Sequence, residues 1–237
     1  MTSAPFEILH LDNHLMVVNK PPGLLVQADR TGDTDLITLA KAYLKERFSK
    51  PGNVFVGLVH RLDRPASGVM VLARTSKAAA RLSDQFRRHL PEKDYLAIVE
   101  GTLRGAGVSE VHLRPGKGRV EVTDATAEGA RAASLQWRAI AEEDQLTLVA
   151  VRLKTGRKHQ IRVQMAYMGH PILGDILYGA RRELDGRNLA LHAFSLGFTH
   201  PTMKEWVRWT AAPPANWGRR FDQAIKTELA RKPDLES

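Results

Sequence analysis

The sequence contains no cysteine. That excludes disulfides, thiolate metal sites, iron–sulfur clusters and a cysteine nucleophile, while leaving the compartment open. It has no run of the ~18 apolar residues that a membrane-spanning helix needs. The opening residues, MTSAPFEILHLDNH, carry no basic stretch ahead of an apolar core, so they do not read as a secretory signal, and a cytoplasmic location is expected. Aromatics are few (Phe 7, Tyr 4, Trp 4), and no strand is aromatic-rich like the surfaces that stack single-stranded nucleic acid. No internal repeat, low-complexity tract or long Pro/Gly/Ser linker appears. One domain is therefore expected over residues 1–237, with its core at 6–217, a closing helix at 217–230 and a tail at 231–237. No extended apolar patch or coiled-coil heptad is visible, so a monomer is expected.

Positive charge is abundant. Lys+Arg number 35 against 26 Asp+Glu, a net +9 at pH 7, which points to a polyanionic partner, most simply nucleic acid. The charge is concentrated. Residues 152–162 (RLKTGRKHQIR) hold Arg152, Lys154, Arg157, Lys158 and Arg162 with no acidic residue; Arg181, Arg182 and Arg187 follow, and Arg87, Arg88 and His89 close an earlier helical stretch. Binding of this kind goes through phosphates and is salt-dependent. Recognition then falls to shape or to a pocket. At 43% hydrophobic residues, intrinsic disorder is excluded for most of the chain.

Hydrophobic patterning predicts an opening hairpin from 6–11 and 15–19, broken by Lys20-Pro21-Pro22-Gly23. Helices are predicted over 35–48 behind a Thr/Asp cap and over 76–90 behind Thr75/Ser76. Strands are predicted at 54–59, 69–73 and 95–99, then at 133–140 and 145–153 joined by an acidic turn at 141–144. Residues 103–130 read as a surface excursion with at most a hairpin near 119–122. A helix at 158–168, a short core strand at 191–193 and a strand at 206–210 complete the pattern. The fold class is α+β, with a mostly antiparallel mixed sheet flanked by helices and loops.

The chemistry-bearing stretch is His60-Arg61-Leu62-Asp63-Arg64-Pro65-Ala66-Ser67-Gly68, a loop between two apolar strands. A carboxylate among guanidinium groups stays ionised and can act as nucleophile or base. A loop salt bridge that fixes a turn explains the same residues equally well. Metal ligation by His60 and Asp63 is opposed by the flanking cations and by the lack of a second His at ligand spacing.

Residues 60–73, HRLDRPASGVMVLA, resemble the signature of the RluA-type family of RNA pseudouridine synthases. The resemblance continues in family order through 17–23 (VVNKPPG), 92–101 (EKDYLAIVEG), 153–162 (LKTGRKHQIR), 169–175 (GHPILGD), Tyr178-Gly179, 191–193 (LHA) and His200-Pro201. It spans residues 6–217, and several motifs in order are far more specific than any one alone. Ala66 stands where the family usually has Thr, and Gln164 where it often has His; neither position is the presumed reacting group. The separate N-terminal RNA-binding domain of many members is not expected here.

The resemblance implies conversion of uridine in structured RNA (ribosomal RNA, transfer RNA or both) to pseudouridine, without cofactor or metal. It implies that Asp63 is the essential carboxylate, that Arg162 is its ion-pair partner and that Tyr95 stacks on the uracil and helps remove the C5 proton. It implies that the target base is flipped out, with Arg61 filling the vacated place and Arg64, Arg157, Lys158 and His159 meeting the RNA. His60 is a substrate contact or a packed loop histidine. The Lys20–Gly23 turn and Gly174-Asp175 are expected to shape the site without taking part in chemistry, and His192 to be structural.

Overall fold

The computed structural model describes residues 4–231. The chain opens with the hairpin β1 (Glu7–Leu11) and β2 (Leu15–Lys20), whose turn is fixed by Asp12 accepting from the His14 and Leu15 amides. Helix α1 (Leu36–Arg47) starts where Asp35 accepts from Thr38 N, and it buries Leu36, Ala40 and Leu44 at helical spacing. The two-residue strand β3 (Gly57–Leu58) and the wholly buried β4 (Ser67–Ala73) bracket the 59–66 loop. Helix α2 (Ser76–Arg87) is capped by Thr75 and buries Ala78 and Leu82.

Then follow β5 (Glu92–Glu100), β6 (Ala106–Pro115), β7 (Val120–Thr123), β8 (Arg131–Glu143) and β9 (Leu146–Leu153). Helix α3 (Gln160–Tyr167) precedes β10 (Leu191–Thr199), β11 (Trp206–Thr210) and α4 (Asp222–Ala230). The strands form a single 11-stranded mixed sheet in the order β1-β2-β4-β10-β5-β9-β8-β6-β7, with β11 on β10 and β3 on β4. Among the described strands the parallel pairing is β4 beside β10, at Ser67↔His192 and Gly68↔Ala193. There Gly68 has φ +126, and a Cβ would lie 2.4 Å from the Ala193 carbonyl oxygen, so only glycine lets the two strands meet. Fully buried side chains such as Leu72, Leu96 and Leu135 each contribute about 1.5–3 kcal/mol of transfer free energy.

Four expectations need correction. The strand expected at 54–59 shrinks to Gly57–Leu58: residues 54–56 would face 74–76, where β4 has ended and α2 begins, and beyond Leu58 the His60 imidazole takes the Val71 N–H (3.0 Å). The excursion at 103–130 contains a full ten-residue strand, β6, paired with β8 from Ala106↔Arg138 to Leu113↔Arg131. The β8–β9 turn lies at Asp144-Gln145, both at positive φ, rather than at 141–144. The closing helix begins at Asp222, after a 3₁₀ turn at Ala215–Trp217 and a break at Gly218, φ +72. Among the described residues no helix is long and apolar enough to cross a membrane.

Candidate active site

The 59–66 loop is held from below. Lys20, fully buried at the end of β2, donates from Nζ to the carbonyls of Pro21 (3.0 Å), Leu24 (2.9 Å) and Arg64 (3.1 Å). Gly23 N donates to the Arg64 carbonyl at 2.9 Å, and Arg64 Nε returns a bond to the Gly23 carbonyl at 3.0 Å. Burial pushes the Lys20 ammonium down to about 7, with the Asp63 carboxylate opposing the shift. These bonds fix the backbone immediately after Asp63, and Ala66 N caps the turn on the Asp63 carbonyl (3.1 Å).

From the other side comes α3. The Gln160 amide locks the turn before it, accepting from Arg157 N (2.9 Å) and Thr155 Oγ1 (2.8 Å) and donating to the Ser134 carbonyl (3.1 Å). His159 takes a left-handed conformation, φ 54, and the first turn of α3 aims Arg162 at the loop. Arg162 Nη1 lies 3.1 Å from Asp63 Oδ2, although 99 residues separate them. The remaining edge of the guanidinium is gripped by Asp175, with Nε at 2.7 Å and Nη2 at 2.8 Å. Burial alone would lower the arginine's pKa; the hydrogen bonds and charge of Asp175, and then Asp63, reverse that and raise it.

His159 Nε2 sits 3.7 Å from Asp63 Oδ2, and its Nδ1 is 2.9 Å from Tyr178 Oη. Burial lowers the His159 pKa, Asp63 opposes this, and Arg162 and Lys158 add to the lowering. Tyr178 Oη also accepts from Val120 N at 2.9 Å, and the Arg162 guanidinium lies 5.1 Å over its ring. Tyr95 projects from β5 onto the same cleft. Burial, reinforced by the Asp63 and Asp94 carboxylates, pushes its phenol above the usual range, so it stays protonated. Its strand neighbour Asp94 faces the opposite side, where Arg152 (2.6 and 3.1 Å) and Arg208 (3.1 Å) hold it.

The cleft thus gathers Arg61, Asp63, Tyr95, Arg157, His159 and Arg162 over an apolar floor of Leu153, Ile161 and Leu191. Three other residues expected at the site are not brought into its lining. His60 is pinned to Val71 N and stacked on Phe86 (ring centroids 4.5 Å apart); burial, with Lys93 adding, drops its pKa to about 3 and leaves it neutral. Arg64 is turned to Asp33 (2.6 Å) and Gly23, and Lys158 is exposed beyond the rim. Asp175, expected to shape the site, does so by holding Arg162, and Tyr178, matched only as part of a motif, bridges His159 and Val120 N, a contact that sequence reasoning missed. Asp175 is the only charged residue in 171–178, PILGDILY, and a lone carboxylate in an apolar stretch signals a buried, paired one. Among the described residues no three His, Asp or Glu side chains converge as a metal-binding set.

A carboxyl side chain held by a buried arginine, beside a protonated phenol and under a basic rim, is placed to meet one unit of a polyanionic chain. Comparison with known proteins shows the family. Residues 14–167 match the pattern of the RNA pseudouridylate synthase family. Ribosomal large subunit pseudouridine synthase D of Xanthomonas campestris is 37% identical over 250 residues, covering 96% of this chain and 73% of that protein. The tRNA pseudouridine synthase C of Haemophilus ducreyi is 34% identical over 235 residues, covering 92% and 95%. Among solved structures, human RNA pseudouridylate synthase domain containing 4 superposes with a TM-score of 0.73 at 26% identity, covering 96% of this chain and 95% of that one. Human RNA pseudouridylate synthase domain containing 1, at 23% identity and 98% coverage of both chains, shares the fold with a TM-score of 0.75. With the fold and the family pattern in agreement, the chain belongs to the RNA pseudouridylate synthases, a family of isomerases.

Proposed function

We propose that this protein isomerises chosen uridines of structured RNA to pseudouridine, with Asp63 as the reacting carboxylate. Ribosomal and transfer RNA, the classes named for its relatives, are the substrates to test. In the reaction the N1–C1′ bond breaks, the uracil turns, and C5 bonds to C1′. The proton lost from C5 is balanced by one gained at N1, so no electrons are exchanged with a partner. An ionised carboxylate serves each available route: attack on the sugar, attack on the base, or removal of a ribose proton.

The observation that carries this reading is the Asp63–Arg162 contact of 3.1 Å in a cleft that Tyr95 also lines. Arg162 orients Asp63 through their 3.1 Å contact, and Asp175 keeps Arg162 in place. Tyr95 stacks on the uracil, and after the new bond has formed its phenol oxygen takes the C5 proton as it passes its own O–H proton to water, so the phenol ends as it began. A uridine in a stem or a structured loop reaches Asp63 only by flipping out, at a cost of a few kcal/mol of stacking. Arg61, exposed at the rim, occupies the place the base leaves, while Arg157 takes backbone phosphate.

The test is Asp63→Asn, which preserves shape and removes the charge. Pseudouridine is mapped in total RNA from cells with and without the protein, and the RNA so identified is assayed with both proteins. Asp63→Asn is expected to bind that RNA within about twofold of wild type and to form no product, the contact to Arg162 being internal to the protein. Product from Asp63→Asn, in a preparation free of wild type, removes the carboxylate from the mechanism. RNA binding by wild type without any pseudouridine would make the protein an RNA-binding factor on this fold.

A further inference from the structure

Lys93 stands one strand repeat before Tyr95 and on the same face of β5, roughly 6.8 Å along the strand, next to the cleft but outside its lining. It is 8% exposed, yet among the described residues no carboxylate lies within 4 Å of its ammonium. Its one hydrogen bond reaches the Thr155 carbonyl at 3.5 Å, the outer limit of such a contact. The acidic neighbours in sequence, Glu92 and Asp94, face the other side of the sheet, where Arg152 and Arg208 take them. What surrounds Lys93 is further positive or neutral basic groups: Arg157, His60 and the exposed His89 at the end of α2. Gly156 leaves room beside Nζ, since even a Cβ there would stand 3.7 Å away.

A buried, hydrogen-bond-starved cation facing other cations is costly unless an anion arrives to join them. Burial, with Arg157 adding, holds the Lys93 ammonium down at about 8, as expected of a group whose counterion comes with the ligand. Arg157 belongs both to this cluster and to the lining of the Asp63 cleft, which makes the two continuous.

We propose that Lys93, Arg157 and His89 form a phosphate-binding subsite that takes a backbone phosphate of the RNA next to the nucleotide held against Tyr95. The assignment rests on the RNA reading of the cleft and says which part of the substrate the second group of cations grips. The subsite fixes the depth to which the chain enters, and so which nucleotide reaches Asp63.

The test uses an RNA that wild type modifies, made with a single uncharged methylphosphonate linkage at each position around the target uridine in turn. One linkage adjacent to the target is expected to raise the KM of wild type about tenfold, as loss of one charge-assisted contact would. Lys93→Met is expected to raise KM similarly with ordinary RNA, and to flatten the plot of log affinity against log salt by roughly 0.7. With that linkage present, Lys93→Met should lose nothing further, and Lys93→Arg should behave like wild type. Thermal melts check that each variant is folded; should Lys93→Met not be, the surface variant Arg157→Met is read for the same non-additivity. Penalties that add in full at every linkage overturn the subsite while wild type remains active. Absence of product from wild type on every RNA would instead overturn the reading of the cleft as a synthase site.

Discussion

Asp175→Asn separates the arrangement of the site from its chemistry. The Asp175 side chain is 1% exposed and that of Arg162 is 7% exposed, so the two charge-assisted bonds between them are shielded from solvent. Asparagine removes the charge, keeps one acceptor and turns an N–H toward a guanidinium that can only donate. Breaking a buried pair by removing one partner costs about 3–5 kcal/mol. Asp63 still compensates Arg162 in part, so the lower end, about 3 kcal/mol, is expected. For a domain of this size that lowers Tm by about 6–12 °C. The loosened arginine no longer fixes Asp63, and the single-turnover rate at saturating RNA should fall at least tenfold while Kd for RNA stays within about threefold. The double variant Arg162→Met with Asp175→Leu, which removes both charges, should regain most of the stability and none of the activity. Urea and thermal unfolding read the first quantity, and single-turnover formation of pseudouridine reads the second. A stability loss under about 1 kcal/mol together with an unchanged rate would refute the claim that Asp175 holds Arg162 for its task.

Further outcomes follow from the same geometry. Tyr95→Phe keeps the stacking surface and removes the hydroxyl, so RNA binding should persist while product formation slows by about 10²–10⁴-fold, the usual worth of a positioned proton-transfer group; an unchanged rate would reduce Tyr95 to packing. His60 and His192 are neutral in the fold, with pKa values lowered by burial to about 3 and about 4, whereas the unfolded chain protonates them near the ordinary 6.5. The unfolded state therefore takes up protons first. Their contribution is intact above about pH 6.5 and is lost as pH falls toward the folded values. Urea midpoints between pH 7.5 and 4.5 should fall steadily, and less steeply in His60→Gln; a flat profile in wild type would show that neither imidazole is buried neutral.

Legibility in the sequence followed the strength of the local signal. Helices α1 and α2 could be located because a capping Asp35 or Thr75 precedes apolar residues at helical spacing. The opening hairpin was equally plain. Strand β6 was not, because only Ser109 and Leu113 of its ten residues are buried, and the rest, including Gly107 and Glu110, are exposed or half-exposed. At the site, resemblance of the motifs pointed to Asp63, Tyr95 and Arg162 as neighbours, and they line one cleft. Local spacing alone could not have paired residues 99 positions apart. Nor could it show that Asp175 takes the Nε/Nη2 edge of the guanidinium, or that Tyr178 bridges His159 and β7, since those contacts are made only when distant segments pack. The sequence leaves His60 between a substrate contact and a packed histidine, because a loop's residues alone do not show which way each side chain faces. His60 turns back to serve Val71, and Arg64 turns outward to Asp33.

Strand β10 has a consequence for biosynthesis. It lies between β4 and β5 in space but comes near the end of the chain, at Leu191–Thr199. Until it is synthesised, the half carrying Asp63 and the half carrying Tyr95 have no backbone seam, and each presents an unpaired sheet border of the sort that invites aggregation. A growing polypeptide therefore cannot bring Asp63 and Tyr95 into one cleft before β10 has emerged and docked. Closure of that late seam makes catalytic competence a readout of the sheet's assembly.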